Sequence, residues 1–250
     1  MSTVVLLPHM DDEVFIIPYL VELAKSNETK VMIFFLTKSE GRFNKYSHRV
    51  REAESSSMLN KIAPHCKIDF LGSKFQVEDL ELHSSLNRIF EFLVETLNNG
   101  CDLVISPHYE GGHIDHDSTS MLAKRISEQF DAPLHTFNLY SGRRIGKSLY
   151  KVGKPTESNT VIKIKVGRES FKPIMLIPFV YRSQIPTWIG IYPSLVWRFI
   201  IRGKCEINTS SNFNHLSKPN HGIVFYENRK DGTFDEWSTN IEHFLNQSKK

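Results

Sequence analysis

The chain is poor in cysteine. Cys66, Cys101 and Cys205 are its three, an odd number at wide spacing. They form no disulfide framework and no paired zinc motif, which fits a reducing compartment. None lies in a motif, and free cysteines are usually buried, so they read as inert thiols. A membrane-spanning run is also missing. The most apolar long window, Ile174 to Ile201, is broken by Arg182 and Gln184 and by Pro178, Pro186, Gly190 and Pro193. A span needs about 20 mostly apolar residues without such breaks. No basic stretch precedes an apolar one at the N-terminus, because Thr3 already opens a strand-like run, so no signal peptide is expected. The expectation is a soluble, cytoplasmic protein with no transmembrane segment. Charge of one sign is lacking too. The formal net charge is +3, and the basic residues are scattered apart from Arg42 to Arg51 and Lys249-Lys250. That excludes an argument for nucleic acid as a partner.

What is present suits one large domain, 1–250. Hydrophobic content of 40% and charged content of 24% are ordinary for a globular protein, and 250 residues can bury a sizeable core. Strand-like and helix-like segments alternate through the first half. Thr3-Val4-Val5-Leu6-Leu7 and Lys30 to Leu36 are strand-length apolar runs, as strands buried on both faces require. Ser47 to Ile62 reads as a helix with Val50, Ala53, Met58, Leu59 and Ile62 on one face. Lys67 to Leu71 is a short strand. Ser84 to Leu97 is an amphipathic helix that stops at Asn98-Asn99-Gly100. Asp102 to Ser106 and Leu134 to Leu139 are further strands flanking a helix over His116 to Gln129. This rhythm predicts an α/β, Rossmann-like, doubly wound and mostly parallel sheet. The second half is less regular: 141–158 reads as loop, Thr160 to Val166 as an edge strand, Glu169 to Tyr181 as a helix and 209–220 as a surface loop. No internal repeat or low-complexity tract interrupts it.

Two polar clusters stand immediately after predicted core strands. Pro8-His9-Met10-Asp11-Asp12-Glu13 presents one imidazole and three carboxylates at a strand-to-helix junction, and His113-Ile114-Asp115-His116 follows a later strand. In open α/β sheets ligands bind at such junctions. A hydrolytic zinc site needs three protein ligands and an open position for water. His9 and Asp12 supply two from one turn. One of His113 and His116 completes the set, leaving the other for the transition state, with Asp11 placed to take a proton. The structural alternative is that Asp11-Asp12-Glu13 serves only a helix N-terminus. It does not explain two clusters after two strands.

These residues carry a resemblance. Pro8 to Glu13 resembles the (A/P)HPDDE motif of the PIG-L/LmbE-like family of metal-dependent N-deacetylases. Pro107 to Asp117, which contains Glu110-Gly111-Gly112, is similar to that family's HxDH motif and its upstream EGG. Leu36-Thr37 through Glu40-Gly41, Arg49-Val50-Arg51-Glu52-Ala53, Lys172 and Tyr181-Arg182-Ser183-Gln184 continue the match in order over roughly residues 3 to 184. The resemblance implies a Rossmann-like fold and removal of an N-acyl, usually N-acetyl, group from a small-molecule amino sugar or its conjugate. It puts the metal, Zn2+ or else Fe2+, on His9, Asp12 and His116. It makes Asp11 the general base, gives His113 the oxyanion and the protonation of the leaving amine, and leaves Asp115 to orient a histidine. It brings Arg49 near the substrate; Glu40, His108 and Glu110 are further candidates for contact with the sugar that the resemblance does not assign. Met10 departs from the proline usual there, a change that touches the turn and not the chemistry.

Beyond Gln184 the chain resembles nothing assignable. Its aromatic stretch, Pro186 to Trp197, reads as core packing, with a homo-oligomer interface, a sugar-stacking wall and a lipid contact as the other readings.

Overall fold

The computed structural model describes residues 1–26, 28–40, 46–145, 149–153, 161–209, 214–222 and 224–247. In chain order these form β1 (Ser2–Leu7), a 3-10 turn (Asp12–Ile16) running into α1 (Ile17–Ala24), β2 (Lys30–Phe35), α2 (His48–Ile62), β3 (Lys67–Phe70), α3 (Leu71–Phe75), α4 (Leu82–Thr96), β4 (Leu103–Pro107), α5 (Ile114–Phe130) and β5 (Leu134–Phe137). Then follow β6 (Tyr140–Ile145), β7 (Leu149–Val152), β8 (Val161–Lys165), α6 (Arg168–Val180), α7 (Ile185–Val196) with a π turn (Trp197–Ile201), β9 (Lys204–Asn208), α8 (Pro219–Gly222), α9 (Phe225–Arg229) and α10 (Phe234–Asn246).

The fold is α/β with a seven-stranded sheet in the order β3-β2-β1-β4-β5-β9-β8. Its first five strands are parallel, and β9 and β8 join antiparallel. This is the expected Rossmann-like arrangement. The apolar runs alternate between two cores. Val5 and Leu7 pack on the α1, α2, α6 and α7 side, Val4 and Leu6 on the α4, α5 and α10 side. Strand order reverses between β1 and β4, which pair directly with Val4 opposite Val104. The loops leaving β1 and β4 therefore open side by side at the crevice where α/β sheets take ligands. The adjacency that would unite the two clusters is present.

Several expectations need correction. Part of 141–158 is not loop: β6 and β7 pair antiparallel, and 146–148 and 154–160 lie outside the described residues. β9, α7 and α10 give the C-terminal third more order than its sequence suggested. Residues 210–213 of the expected surface loop lie outside the described residues, and α8 forms from Pro219. On α2 the inner face is Arg51, Ser55, Met58, Leu59 and Ile62, while Val50 is exposed. The first half of that face is polar because it looks onto the clusters, so apolar spacing alone set its phase wrongly.

Gly72, at the start of α3, marks how closely the β2 loop is held. A β-carbon there would lie 2.0 Å from the carbonyl carbon of Thr37 and 2.2 Å from its oxygen. Behind it the Thr37 hydroxyl sits 2.9 Å from both the Pro8 carbonyl oxygen and Asp79 Oδ1. Backbone cannot yield as a flexible side chain does. Gly72→Ala is therefore expected to cost at least the roughly 1–3 kcal/mol of an overpacked interior, read as a lower urea midpoint at unchanged slope. An unshifted midpoint would show that the loop moves freely.

Candidate active site

The turn after β1 is built from inward-facing polar groups. The Asp12 carboxylate accepts from the His9 backbone N–H at 3.0 Å through Oδ2, which also lies 3.4 Å from His9 Nδ1. Asp11 takes a left-handed backbone, φ 117°. Such a conformation costs a non-glycine residue on the order of 1–3 kcal/mol and clusters at functional sites. Its side chain makes no cap bond to the following turn. Instead its Oδ1 lies 3.0 Å from Arg51 Nη2. The purely capping role for this acid is thus not what the turn uses. Glu13 supports the turn: Oε2 accepts from the Asp11 backbone N–H at 2.9 Å and Oε1 from the Tyr181 hydroxyl at 2.6 Å. Met10 is fully buried, and its backbone N–H donates to Ser39 Oγ at 2.9 Å, a bond that proline could not make.

The second cluster enters from α5. His113 is the N-cap residue, and its Nδ1 accepts from the Asp115 backbone N–H at 3.2 Å. Asp115 is wholly buried. Its carboxylate accepts from the backbone N–H groups of Leu80 (2.7 Å) and Leu82 (3.2 Å) and lies 3.0 Å from His9 Nε2. Burial opposes the charge on Asp115, yet His9, His113 and the Leu80 N–H hold its carboxyl below the usual range. His116 is buried next to Asp12, with Nε2 3.4 Å from Asp12 Oδ1, and neither of its ring nitrogens has a hydrogen-bond partner. Burial raises the cost of the Asp12 charge as well, but His116 and His9 hold its carboxyl far below normal. Asp11 goes the other way. Burial, aided by Asp12 and Glu13 and opposed by Arg51, pushes it up to about 8. Burial holds His113 neutral, its pKa well below the ordinary value.

The three imidazoles converge. His9, His113 and His116 each offer a ligand atom within 4.8 Å of the other two, a group that could hold a metal ion. Asp12 reaches two of the same three rings. Two ligand sets therefore share His9 and His116, one completed by His113 and the other by Asp12. An imidazole buried with both nitrogens unbonded is costly, and a cation at His116 removes that cost, so the donors fit the metal. Side chains of His9, Asp11 and His113 remain 12%, 13% and 12% open to solvent, so the cluster has a mouth.

The remaining expected contacts lie at different distances from this centre. Arg49 is exposed on α2. Glu40 pairs with His48 Nδ1 at 2.8 Å, where α2 begins. His108 is buried, with Nδ1 2.8 Å from Thr136 Oγ1, and burial pushes its pKa down to about 4. Glu110 is buried too, and its two oxygens accept from Asn138 Nδ2 and the Leu139 N–H. Burial lifts its pKa to about 7. Arg51 was not singled out from the sequence. Besides Asp11, its guanidinium donates to the carbonyl oxygens of Met10 and Ser39. The available signal was helical spacing: counting back from Ile62 through Met58 and Ser55 arrives at Arg51.

Comparison with known proteins bears on the family and the fold. The family model described as GlcNAc-PI de-N-acetylase, PIG-L, matches residues 4–127. Among curated proteins none matches in sequence. Solved structures with the same fold include the zinc-inhibited form of a teicoplanin deacetylase, at 11% identity over 85% of this chain and 100% of that one, TM-score 0.60. A second is the N,N'-diacetylchitobiose deacetylase of Pyrococcus horikoshii, at 17% identity over 84% of each chain, TM-score 0.60. A third is the 4-carboxy-2-hydroxymuconate hydratase of Pseudomonas putida, at 14% identity over 85% and 96%, TM-score 0.51.

The Asp115 contact makes a prediction. Second-sphere carboxylates that hold a ligating histidine are worth about 10–100-fold in metal affinity. Asp115→Asn should weaken Zn2+ binding by that factor in a chelator-competition titration, with circular dichroism unchanged. Undiminished affinity would remove Asp115 from the site.

Proposed function

Because this chain belongs to the PIG-L family of metal-dependent N-deacetylases, we propose that it hydrolyses the N-acetyl group of an N-acetylglucosamine-type amino sugar or a conjugate of one. The observation that carries the proposal is the buried His116, unbonded at both ring nitrogens and facing Asp12 and the other two imidazoles.

Hydrogen bonding favours His9, Asp12 and His116 as the ligands over the three-histidine set. His9 donates its Nε2–H to Asp115, so in the neutral ring that metal binding requires, the Nδ1 lone pair faces Asp12 and the ligand position. His113 is committed differently. Its Nδ1 accepts from a backbone N–H, so in the neutral ring the proton resides on Nε2, a donor and not a ligand. Two nitrogens and a carboxylate oxygen with an open fourth position suit Zn2+, and the same donors accept Fe2+. Such a cation, when bound, polarises the acyl oxygen and lowers the pKa of a bound water from 15.7 toward roughly 7.

The chain's own groups do the rest. Asp11 Oδ1 rests on Arg51, leaving Oδ2 to take the proton of the attacking water. Arg51 pulls Asp11 toward the carboxylate form that a base requires, against the burial that pushes it up to about 8, and a cation bound beside it would add to that pull. His113 Nε2–H donates to the oxyanion as the acyl carbon becomes tetrahedral, help typically worth about 3 kcal/mol per donor. Asp11 then returns its proton to the departing amine. No protein nucleophile takes part. Burial lifts the thiol of Cys205 to about 12 and those of Cys66 and Cys101 to about 11, which keeps them inert.

Structural relatives are described as deacetylases of teicoplanin and of N,N'-diacetylchitobiose, which supports an acetyl group as what is removed and leaves its carrier open. The alternative is a metal-dependent amidase on a non-sugar or thiol-sugar conjugate. The hydratase relative adds a third chemistry on the same fold. A panel of acetylated sugars, sugar conjugates and simple amides, scored by amine release from metal-loaded protein, separates all three, since hydration frees no amine.

Two variants test the assignment of roles. His116→Ala should lose both bound metal, by elemental analysis, and turnover. Asp11→Asn should keep its metal while kcat falls by about 10²–10⁴, the range for a general base. Full activity in Asp11→Asn would refute the base, and metal retained in His116→Ala would refute the ligand.

A further inference from the structure

The outer face of α6 and α7 is apolar and open. On α6, Phe171, Met175 and Phe179 recur every fourth residue, with Met175 52% and Phe179 68% exposed, while Pro173, Ile174 and Ile177 turn into the core. On α7 and its π turn, Trp188, Ile191 and Leu195 are buried, but Ile185, Ile189 (70%), Trp197 (59%) and Ile201 (60%) are exposed. The Tyr192 hydroxyl lies 3.7 Å from Met175 Sδ, so the two stripes adjoin. Seven of the twelve large hydrophobic residues exposed among the described residues belong to these two elements. Single exposed apolar side chains are ordinary, whereas a contiguous group marks an interaction surface.

Charge identifies what would cover it. From Arg168 to Lys204 the chain has six basic residues and one acidic one, Glu169, whose carboxylate is paired with Lys25 at 2.6 Å. Arg198 is engaged with Glu206 at 3.1 Å, but Lys172, Arg182, Arg202 and Lys204 are exposed. Arg182 Nε donates to the backbone carbonyl oxygen of Phe179 at 3.2 Å, which ties a cation to the main chain of the most exposed aromatic residue of the face. A second copy is the other common cover for such a patch. A twofold pair, however, presses the same surface against itself, and this one would meet Lys172, Arg182 and Arg202 with the same three cations, its one acid, Glu169, being already paired with Lys25. An anionic bilayer supplies the missing sign. No helix among the described residues is long and apolar enough to cross a membrane, and contact of this kind needs none, since apolar side chains flanked by Lys and Arg seat at the headgroup boundary.

We propose that the α6–α7 face docks on an anionic lipid surface, with Phe179, Ile189 and Trp197 entering the headgroup layer and Lys172, Arg182 and Arg202 lying against its phosphates. The inference is independent of the hydrolytic reading.

The test is co-sedimentation of the intact protein with vesicles of phosphatidylcholine alone and of equimolar phosphatidylcholine and phosphatidylglycerol. Light scattering of the free protein is recorded in parallel. Binding should require phosphatidylglycerol and weaken between about 0.15 and 1 M salt as the screening length shortens. Phe179→Ser/Ile189→Ser/Trp197→Ser should abolish it. Lys172→Gln/Arg182→Gln/Arg202→Gln should reduce it on the order of a hundredfold, at roughly fivefold per basic side chain near an anionic leaflet. Both triple variants should keep the wild-type circular dichroism spectrum and the same turnover on a water-soluble amide. Absence of vesicle binding by the wild type, or binding that survives either folded triple variant, overturns the proposal. So does a wild-type oligomer that the apolar variant converts to monomer without any vesicle binding, which would give the face to a second copy.

Discussion

One buried carboxylate joins three parts of the chain that are far apart in sequence. Asp115 stands in the first turn of α5, accepts two backbone N–H groups from the segment leading into α4, and holds His9 from the β1 turn. A charge in that position would be prohibitive alone. It is tolerated because several donors converge on it, and those donors pin the segments that supply them. The pinning needs β1 and β4 as parallel neighbours, since only then does His9 come within reach of α5. Sheet order and site geometry are thus one constraint. The reversal of strand order opens the crevice, and Asp115 fixes which atoms of the two loops face each other across it.

Much of this was legible in the sequence. Strand-length apolar runs located β1 and β2, because a strand buried on both faces must be apolar throughout, and the alternation of strand-like with helix-like segments located β3, β4 and β5. The two clusters stood out because acid and imidazole directly after such runs have no role in packing. Arg51 stayed hidden for the opposite reason. It lies on a helix face that is polar where it meets the clusters, so a reading keyed to apolar spacing rotated α2 and put Val50 inside. β9 was missed because its five residues, Lys204 to Asn208, carry only Cys205 and Ile207 as buried apolar groups, and its pairing with β8 and β5 is entirely long-range. α10 was readable and passed over: Phe234, Trp237, Ile241 and Phe244 keep helical spacing behind a Thr233 cap.

The C-terminal half also reaches the site, through Glu13. The sequence offered that acid as support for a helix start. Its two oxygens instead bridge the Asp11 backbone and the Tyr181 hydroxyl. Two residues further on, Ser183 donates from its backbone and hydroxyl to Glu54 of α2, one turn along from Arg51. The short junction between α6 and α7 therefore braces both halves of the Asp11–Arg51 pair, the strained turn from one side and the arginine's helix from the other. A strained φ persists only where its surroundings over-determine it, and this junction is a large part of those surroundings.

That bracing gives the exposed apolar face a particular position in the molecule. Phe179 and Ile185 look outward from the ends of the same junction whose Tyr181 and Ser183 look inward, and Trp188 packs on both Tyr181 and Phe15. The stretch Pro186 to Trp197 is consequently neither core nor surface. Trp188, Ile191 and Leu195 fill the core behind the site, while Ile189 and Trp197 leave it. Whatever rests on the outer side bears on elements one side chain removed from Asp11. The proposed surface contact and the proposed proton transfer thus share one support, the junction between α6 and α7.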